Sequence, residues 1–383
     1  MRQQGALGWL KHDITHRGVT AWALTIGLAL FYLTLYYGGR TLFGIPIPDV
    51  WTPISDGIGL PHKWTLYGLF YTLAVAIGGV YMFYKYNHNR YQLVRTSVVI
   101  FVQCTLAFAV PWIMAIFEQP EYYFSYLWPL EIADFYPSQI AQHPVPIIVW
   151  AIVGSLIITP LLGYFYGKRW YCSWVCGCGG LANTAGEPFR HLGTKSTRSW
   201  KFEKWAVHLT LVAALVVTAM VIGAWAVGDH YPQFEETAAS AQSLYGFAVV
   251  TMLSGIIGVV AYPIGGTRVW CRFFCPMAAL LGLIQKFGRF RITVKDDMCI
   301  SCGLCTKYCE MGIDVRAYAQ NNQDFVRASC VGCGICSEVC PRGVLRLEND
   351  TPRSASRVLD DEFGNPDPQE LTMSSLISES YRN

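Results

Sequence analysis

Charge is what this sequence has least of. Only 14% of its 383 residues are Asp, Glu, Lys or Arg, against about a quarter in an ordinary soluble domain. Beside 53% hydrophobic residues, that deficit argues against a soluble globular chain. The formal net charge is +3, so the charge balance makes no case for nucleic acid. No nucleotide or flavin fingerprint is evident, and no Ser–His–Asp or paired-carboxylate arrangement stands out. Histidine is also scarce, with eight residues. Only His208 falls clearly inside a long apolar run, which argues against a haem held by paired axial ligands. Any redox or group chemistry then belongs to cofactors, for which the protein supplies position and potential.

What the chain does have is apolar runs. Six of about 20 residues, near 20–38, 64–84, 97–117, 146–166, 205–227 and 244–264, are each long enough to cross a hydrocarbon core of about 30 Å. The first follows a polar stretch and reads as an uncleaved anchor. Basic residues fall in alternate loops: Arg2, Lys11 and Arg17 precede the first run, Lys85, Arg90 and Arg95 follow the second, and Lys168 through Lys204 follow the fourth. The loop 118–145 has none and carries Glu118, Glu121, Glu131 and Asp134. By the positive-inside rule both termini are expected in the cytoplasm.

Of the 14 cysteines, eight form two copies of C-x2-C-x2-C-x3-C. The copies are Cys299, Cys302, Cys305 and Cys309, then Cys330, Cys333, Cys336 and Cys340, the last followed by Pro341. This is the ligand run of two-cluster bacterial ferredoxins, in which the fourth cysteine serves the other cluster. One [4Fe–4S] cluster is thus expected on Cys299, Cys302, Cys305 and Cys340, the other on Cys330, Cys333, Cys336 and Cys309. A zinc module would separate two C-x2-C pairs, and a disulfide framework suits a small secreted domain. Gly303, Gly332 and Gly334 fit the tight loops around such clusters. Glu310 stands where the pattern usually has proline, and its charge would lower the nearby potential. Cys104, alone in an apolar run, reads as a packing residue.

A subtler repeat lies upstream. Gly167-Lys-Arg-Trp-Tyr-Cys172-x3-Cys176 matches Gly266-Thr-Arg-Val-Trp-Cys271-x3-Cys275. Both copies follow an apolar run at its expected cytoplasmic end. Cysteines four apart share a helix face, so the two pairs could offer four thiolates to a further metal centre or cluster at the membrane surface. A redox or regulatory dithiol and a structural role are the alternatives, and Cys178 is an alternate ligand. Arg169 and Arg268 precede the pairs at one offset. They would stabilise thiolates or an anionic cluster, or serve as positive-inside anchors.

Other candidates are fewer. A quinone pocket needs an apolar slot with a hydrogen-bonding group, for which His208 competes with a packing role. His62, His143, Tyr122, Tyr123, Tyr126 and Trp128 on the outer side read as an interfacial belt, or as a quinol site or docking surface. Gly163-x3-Gly167 would let helices approach closely.

Six apolar helices, two C-x3-C motifs and a doubled four-cysteine run together resemble the NapH/MauN/NosR/CcoG ferredoxin-type membrane proteins, over roughly residues 60–345. The second motif carries the family's proline, Cys275-Pro276, whereas the first reads Cys176-Gly177-Cys178. The resemblance implies electron exchange between the quinone pool and a respiratory enzyme, as in a quinol dehydrogenase-type subunit. One branch implies copper reduction during oxidase assembly instead. A plain membrane anchor that docks a soluble oxidoreductase is a third reading.

The expected fold is an α-helical integral membrane bundle of six helices, N-in and C-in, with a small C-terminal α+β ferredoxin-like domain. It divides into a tail (1–19), a membrane domain (20–267), a C-x3-C-P motif with an amphipathic linker (268–295), the two-cluster domain (296–348) and a polar mobile tail (349–383). The linker would lie on the membrane surface or pack on the small domain. The expected location is the bacterial cytoplasmic membrane, with the clusters on the cytoplasmic side. The bilayer, a quinone and a protein redox partner are the expected associations.

Overall fold

A computed structural model describes residues 6–42, 44–227, 230–349 and 357–359. Its frame is helical. A short helix α1 (Ala6–Thr15) precedes six helices that are long and apolar enough to cross a membrane: α2 (Val19–Tyr37), α3 (Lys63–Lys85), α4 (Arg90–Ile116), α5 (Val145–Tyr166), α6 (Thr197–Val227) and α7 (Pro232–Val260). The hydropathy runs thus locate all six. Three of them start seven to twelve residues earlier than the runs suggest, for reasons that hydropathy does not register. At α4 the Asn89 side chain accepts the Gln92 N–H at 3.2 Å and caps the helix. The polar first turns of α6 are held by tertiary contacts, with Glu203 paired to Arg272 at 2.6 Å and Arg327 over the Trp200 ring at 5.3 Å. The segment expected as a tail is largely α1. Arg17, just after it, donates to the carbonyls of Ile264 and Leu192 at 2.7 and 2.8 Å.

Two connections fold back between the spans. Gln103 stands 13 residues from either end of α4, about 20 Å of helix on each side. Its side-chain amide donates to the Val175 carbonyl at 2.7 Å. The chain therefore turns back from the mouth of α5 after Ser173, whose Oγ still donates to the Val331 carbonyl of the small domain at 2.7 Å, and reaches the level of Gln103 at Val175. From the opposite side, Trp128 donates its backbone N–H to Ser155 Oγ at 3.0 Å, and Ser155 is central in α5, within a π-helical turn (Gly154–Ile158). The two connections meet where Tyr171 Oη donates to the Ser125 carbonyl at 2.9 Å and accepts the Leu127 N–H at 3.3 Å. Irregular backbone at this depth is tolerated only where protein surrounds it. Tyr171, Ser125 and Leu127 are all buried. The aromatic loop expected as an interfacial belt is thus partly internal.

The linker helix α8 (Pro276–Phe287) buries Met277, Ala278, Leu281 and Gln285. The Gln285 carboxamide accepts the Lys168 N–H at 2.6 Å and donates to the carbonyls of Arg327 and Cys330 at 2.8 and 3.1 Å. Its position is that of a packed helix, locked between the first cysteine segment and the small domain. A strand β1 (Phe290–Val294) follows at once. It pairs antiparallel with β3 (Leu345–Asn349) and with β2 (Asp324–Val326), and β2 pairs parallel with β4 (Arg357–Leu359). The sheet order is β3-β1-β2-β4, so the small domain's sheet begins a few residues before 296. Of the expected polar tail, Asn349 at the end of β3 and the strand β4 are described, and the rest lies outside the described residues.

Candidate iron–sulfur centres and the charges around them

The small domain divides its eight cysteines into two groups. Cys299, Cys302, Cys305 and Cys340 line one cavity, closed by Pro341 and Val344. Cys309 lies instead within electrostatic reach of Cys333, and Cys336 within reach of Cys333, Cys330 and Cys309. Each fourth cysteine therefore sits with the first three of the other run. Burial pushes the Cys305 and Cys309 thiols up to about 11 and Cys330 to about 12. A bound cation reverses this, since ligand thiols give up their protons on binding.

The loop glycines have a second use beyond turning. Gly332 and Gly334 sit at φ 59° and 78°, where side chains are strained. A Cβ on Gly332 would meet Arg169 Cβ at 2.6 Å, and one on Gly334 would meet Tyr91 Cε1 at 2.8 Å. The cluster loop thus lies directly on the membrane bundle. Tyr91 Oη donates to the Gly332 carbonyl at 2.9 Å, and Gln92 and Arg95 donate to the Cys333 carbonyl at 3.0 and 2.6 Å.

Cys172, Cys176, Cys271 and Cys275 are all buried, between 4% and 6% exposed. They belong to the same contiguous core as Cys305, Cys330 and Cys336, with Cys178, Cys299, Cys309 and Cys333 packed against it. The fold therefore brings the two C-x3-C pairs together and joins them to the small domain through one contiguous core. Cys178 lies within electrostatic reach of Cys176, Cys271 and Cys275. Cys275 also caps α8, with its Sγ accepting the Ala278 N–H at 3.4 Å. Cys104, by contrast, stands half-buried on α4 and belongs to neither group. Among the described residues no three His, Cys, Asp or Glu side chains converge on a single metal ion. Around zinc, sulfurs would close to about 3.8 Å from one another, given Zn–S near 2.3 Å in a tetrahedron.

Charge surrounds these sulfurs. Glu310, only 2% exposed, bridges Arg190 at 3.0 Å and Arg268 at 3.1 Å. Arg190 also points Nη1 at Cys333 Sγ (3.5 Å), and Arg268 points Nη1 at Cys271 Sγ (3.7 Å) and donates to the Cys172 carbonyl (3.2 Å). Glu310 thus ties the cysteine pairs of the bundle to the small domain. Its burial would raise its pKa, but Arg190 and Arg268 hold it below the usual carboxylate range. Glu187 takes the other side of Arg190 at 2.6 Å, and Lys85 at 2.8 Å. Burial would raise Glu187 too, yet these cations bring it down to about 2.

Four cations, Lys85, Arg95, Arg190 and Arg268, here face two carboxylates, Glu187 and Glu310. Arg95 is fully buried, and among the described residues its Nε and Nη2 have no hydrogen-bond partner. A buried guanidinium without a counter-ion is costly. An anionic iron–sulfur cluster beside Cys333 would supply that counter-charge, and the surrounding thiols suit one.

Several roles escape sequence reasoning. Arg169 and Arg268 hold matching positions, yet Arg169 stacks on Phe290 at 5.0 Å while Arg268 faces sulfur. Glu310 is a structural ion-pair partner as well as a charge near a cluster; its place in the proline position was the signal. His208 lines a pocket with Lys168, Trp200, Glu203 and Cys271 beneath the small domain. His62 pairs with Glu121 at 2.6 Å, and His143 packs edge-on against Tyr122.

Residues 145–195 and 247–295, which contain the two C-x3-C pairs, each match the 4Fe-4S binding domain, and residues 292–347 match the 4Fe-4S dicluster domain. The chain is 29% identical over 176 residues to YccM of Escherichia coli (strain K12), a protein named for electron transport, covering 43% of this chain and 46% of YccM. It is 28% identical over 172 residues to the methylamine utilization ferredoxin-type protein MauN of Paracoccus denitrificans (strain Pd 1222), covering 43% and 56%. It is 24% identical over 174 residues to protein NirI of the same organism, covering 44% and 24%. The chain thus spans about half the length of the first two relatives. No solved structure matches. These 4Fe-4S domains, on a frame with six apolar helices, make the chain a homologue of ferredoxin-type electron transport proteins, consistent with the NapH/MauN-like family.

Proposed function

We propose that this protein is a membrane electron relay between the quinone pool and a protein redox partner. Both termini and the small domain face the cytoplasm of a bacterium, following the basic loops. Cys299, Cys302, Cys305 and Cys340 hold one [4Fe–4S] cluster, and Cys330, Cys333, Cys336 and Cys309 hold the other. Cys172, Cys176, Cys271 and Cys275 hold a third centre inside the bundle. When bound, such clusters supply one-electron chemistry at potentials set by charge, hydrogen bonding and exposure. The protein's own part is to bury the thiols, orient them and surround them with guanidinium groups.

The observation that carries this reading is the single buried core shared by the cysteine pairs of the bundle and those of the small domain. The match of both C-x3-C segments to a 4Fe-4S binding domain supports the third centre. Iron and acid-labile sulfide counts with EPR test it on the purified full chain. Three clusters of four irons give about twelve irons, falling to about eight in a Cys172→Ser/Cys271→Ser variant. About eight in both proteins removes the third centre. Reduction of the wild-type protein by a short-chain hydroquinone tests the quinone link separately.

A further inference from the structure

An apolar pocket opens between α2, α3 and the loop that follows the first cysteine pair. It encloses about 360 Å³, toward the lower end for small-molecule sites. Leu24 and Phe70 stand at its rim, 39% and 40% exposed on the apolar outer face of the helices, so the mouth gives onto the lipid side. Among its lining residues there is no histidine and no charged group.

Four tyrosines set its polarity. Tyr32 and Tyr67 bring their hydroxyls to 3.3 Å from each other. Tyr71 Oη donates to the Gly177 carbonyl at 2.7 Å, which lies between Cys176 and Cys178. Tyr262 is 8% exposed and lines the pocket. Cys178 lies within electrostatic reach of all four. The pocket therefore joins lipid on one side to the buried cysteine set on the other.

We infer that this pocket binds the head group of a membrane-soluble quinone, with Tyr262 and Tyr71 nearest its oxygens. This rests on the relay reading given above and adds a location to it. A quinone ring is flat and apolar on its faces, carries a hydrogen-bonding oxygen at each end, and trails an isoprenoid tail suited to a lipid-side mouth. A lipid acyl chain offers no hydrogen-bonding group to the tyrosine hydroxyls of the pocket. A haem would lack an axial histidine. Oxidation of a bound hydroquinone breaks two O–H bonds. The two protons go to water, and the two electrons go singly to one-electron iron–sulfur acceptors.

A photoreactive azidoquinone, applied to the full-length protein in lipid nanodiscs, reads binding directly. Label is expected on peptides from Val19–Tyr37 and Lys63–Lys85, and an excess of decylquinone should compete it away. Ala74→Phe places a ring in the pocket, and Tyr262→Phe removes only a hydroxyl. Each should cut labelling and slow reduction by decyl hydroquinone about tenfold, with iron content and dithionite reduction unchanged. If the wild type is reduced by hydroquinone but label falls elsewhere and both variants react at the wild-type rate, the site is wrong and the relay stands. If the azidoquinone does not label and decyl hydroquinone does not reduce a wild-type protein that dithionite reduces, the quinone reading fails and the site fails with it.

Discussion

The two C-x3-C segments begin alike and end differently. Gly167 and Gly266 both adopt positive φ, 65° and 89°, and both are crowded. A Cβ on the first would meet the Gln285 side chain at 2.7 Å, and one on the second would meet the Gly193 backbone at 2.7 Å. After the cysteines the copies part. Cys275-Pro276 starts the twelve-residue α8, with proline in the first turn where its missing N–H costs nothing. Cys176-Gly177 starts a helix of only seven residues, Gly177–Asn183. At Gly177 a Cβ would sit 2.7 Å from Tyr126 Oη and 3.1 Å from Tyr71 Oη. The first copy has glycine where the second has proline, at a point where two hydroxyls crowd the backbone. A repeated sequence can thus keep its cysteine-bearing half and specialise the rest, one copy toward the interior of the bundle, the other toward the small domain.

The matched arginines offer the sharpest way to break that comparison. Arg268→Ala leaves Glu310 buried with half its charge partners, and Glu310→Ala leaves two guanidinium groups exposed to each other. Each should cost about 3–5 kcal/mol, read as a lower denaturation midpoint of the detergent-solubilised protein. Arg169→Ala loses a cation–π contact worth about 0.5–1 kcal/mol. Equal losses at the two positions would mean that the copies are used alike.

The next effect depends on pH. Glu187 belongs to the loop after the first copy, and its pKa is lowered to about 2 from 4.5. A carboxylate depressed on folding stabilises above its unfolded pKa and loses that contribution as pH falls through its folded one. Roughly 3 kcal/mol should therefore drain away between about pH 4.5 and pH 2. Glu187→Gln should flatten this part of an acid-unfolding curve; an unchanged curve would place the acid sensitivity elsewhere.

Smaller still is the effect at the point of divergence. Gly177→Ala should cost about 1–3 kcal/mol by overpacking and disturb the Tyr71 hydrogen bond. Pro276→Ala should cost about 1 kcal/mol or less, mostly through the unfolded chain. Thermal scans monitored by tryptophan fluorescence would rank the two, and a reversed ranking would show that Gly177 is not confined as its neighbours suggest.

Much of this was legible in the sequence because it depends on local pattern. Hydropathy located the spans, and spacing alone paired the repeats and named the eight cysteines that the small domain gathers into two groups. What could not be read depends on contacts between distant segments. Gln103 in the middle of α4 and Ser155 in the middle of α5 are the receptors for two loops that fold inward, but each is one polar residue in an apolar run. The aromatic loop looked interfacial from composition because nothing local distinguishes a tyrosine at the headgroups from Tyr126 against Gly177. Glu310 was conspicuous as a departure, yet its partners Arg190 and Arg268 lie 120 and 42 residues away.

The inward fold of Cys172–Cys178 has an electrical consequence. The membrane potential falls across the hydrocarbon layer, where a full crossing by one charge is worth about 2.3 kcal/mol per 100 mV. Gln103 stands six residues inside the apolar run 97–117, about 9 Å into a core of about 30 Å, so a segment level with it sits roughly a third of the way through that drop. An electron passed between a centre held there and the small domain would feel about 0.7 kcal/mol per 100 mV. Voltage itself would then shift the balance between the two ends of the protein, which a centre at the membrane surface would not experience.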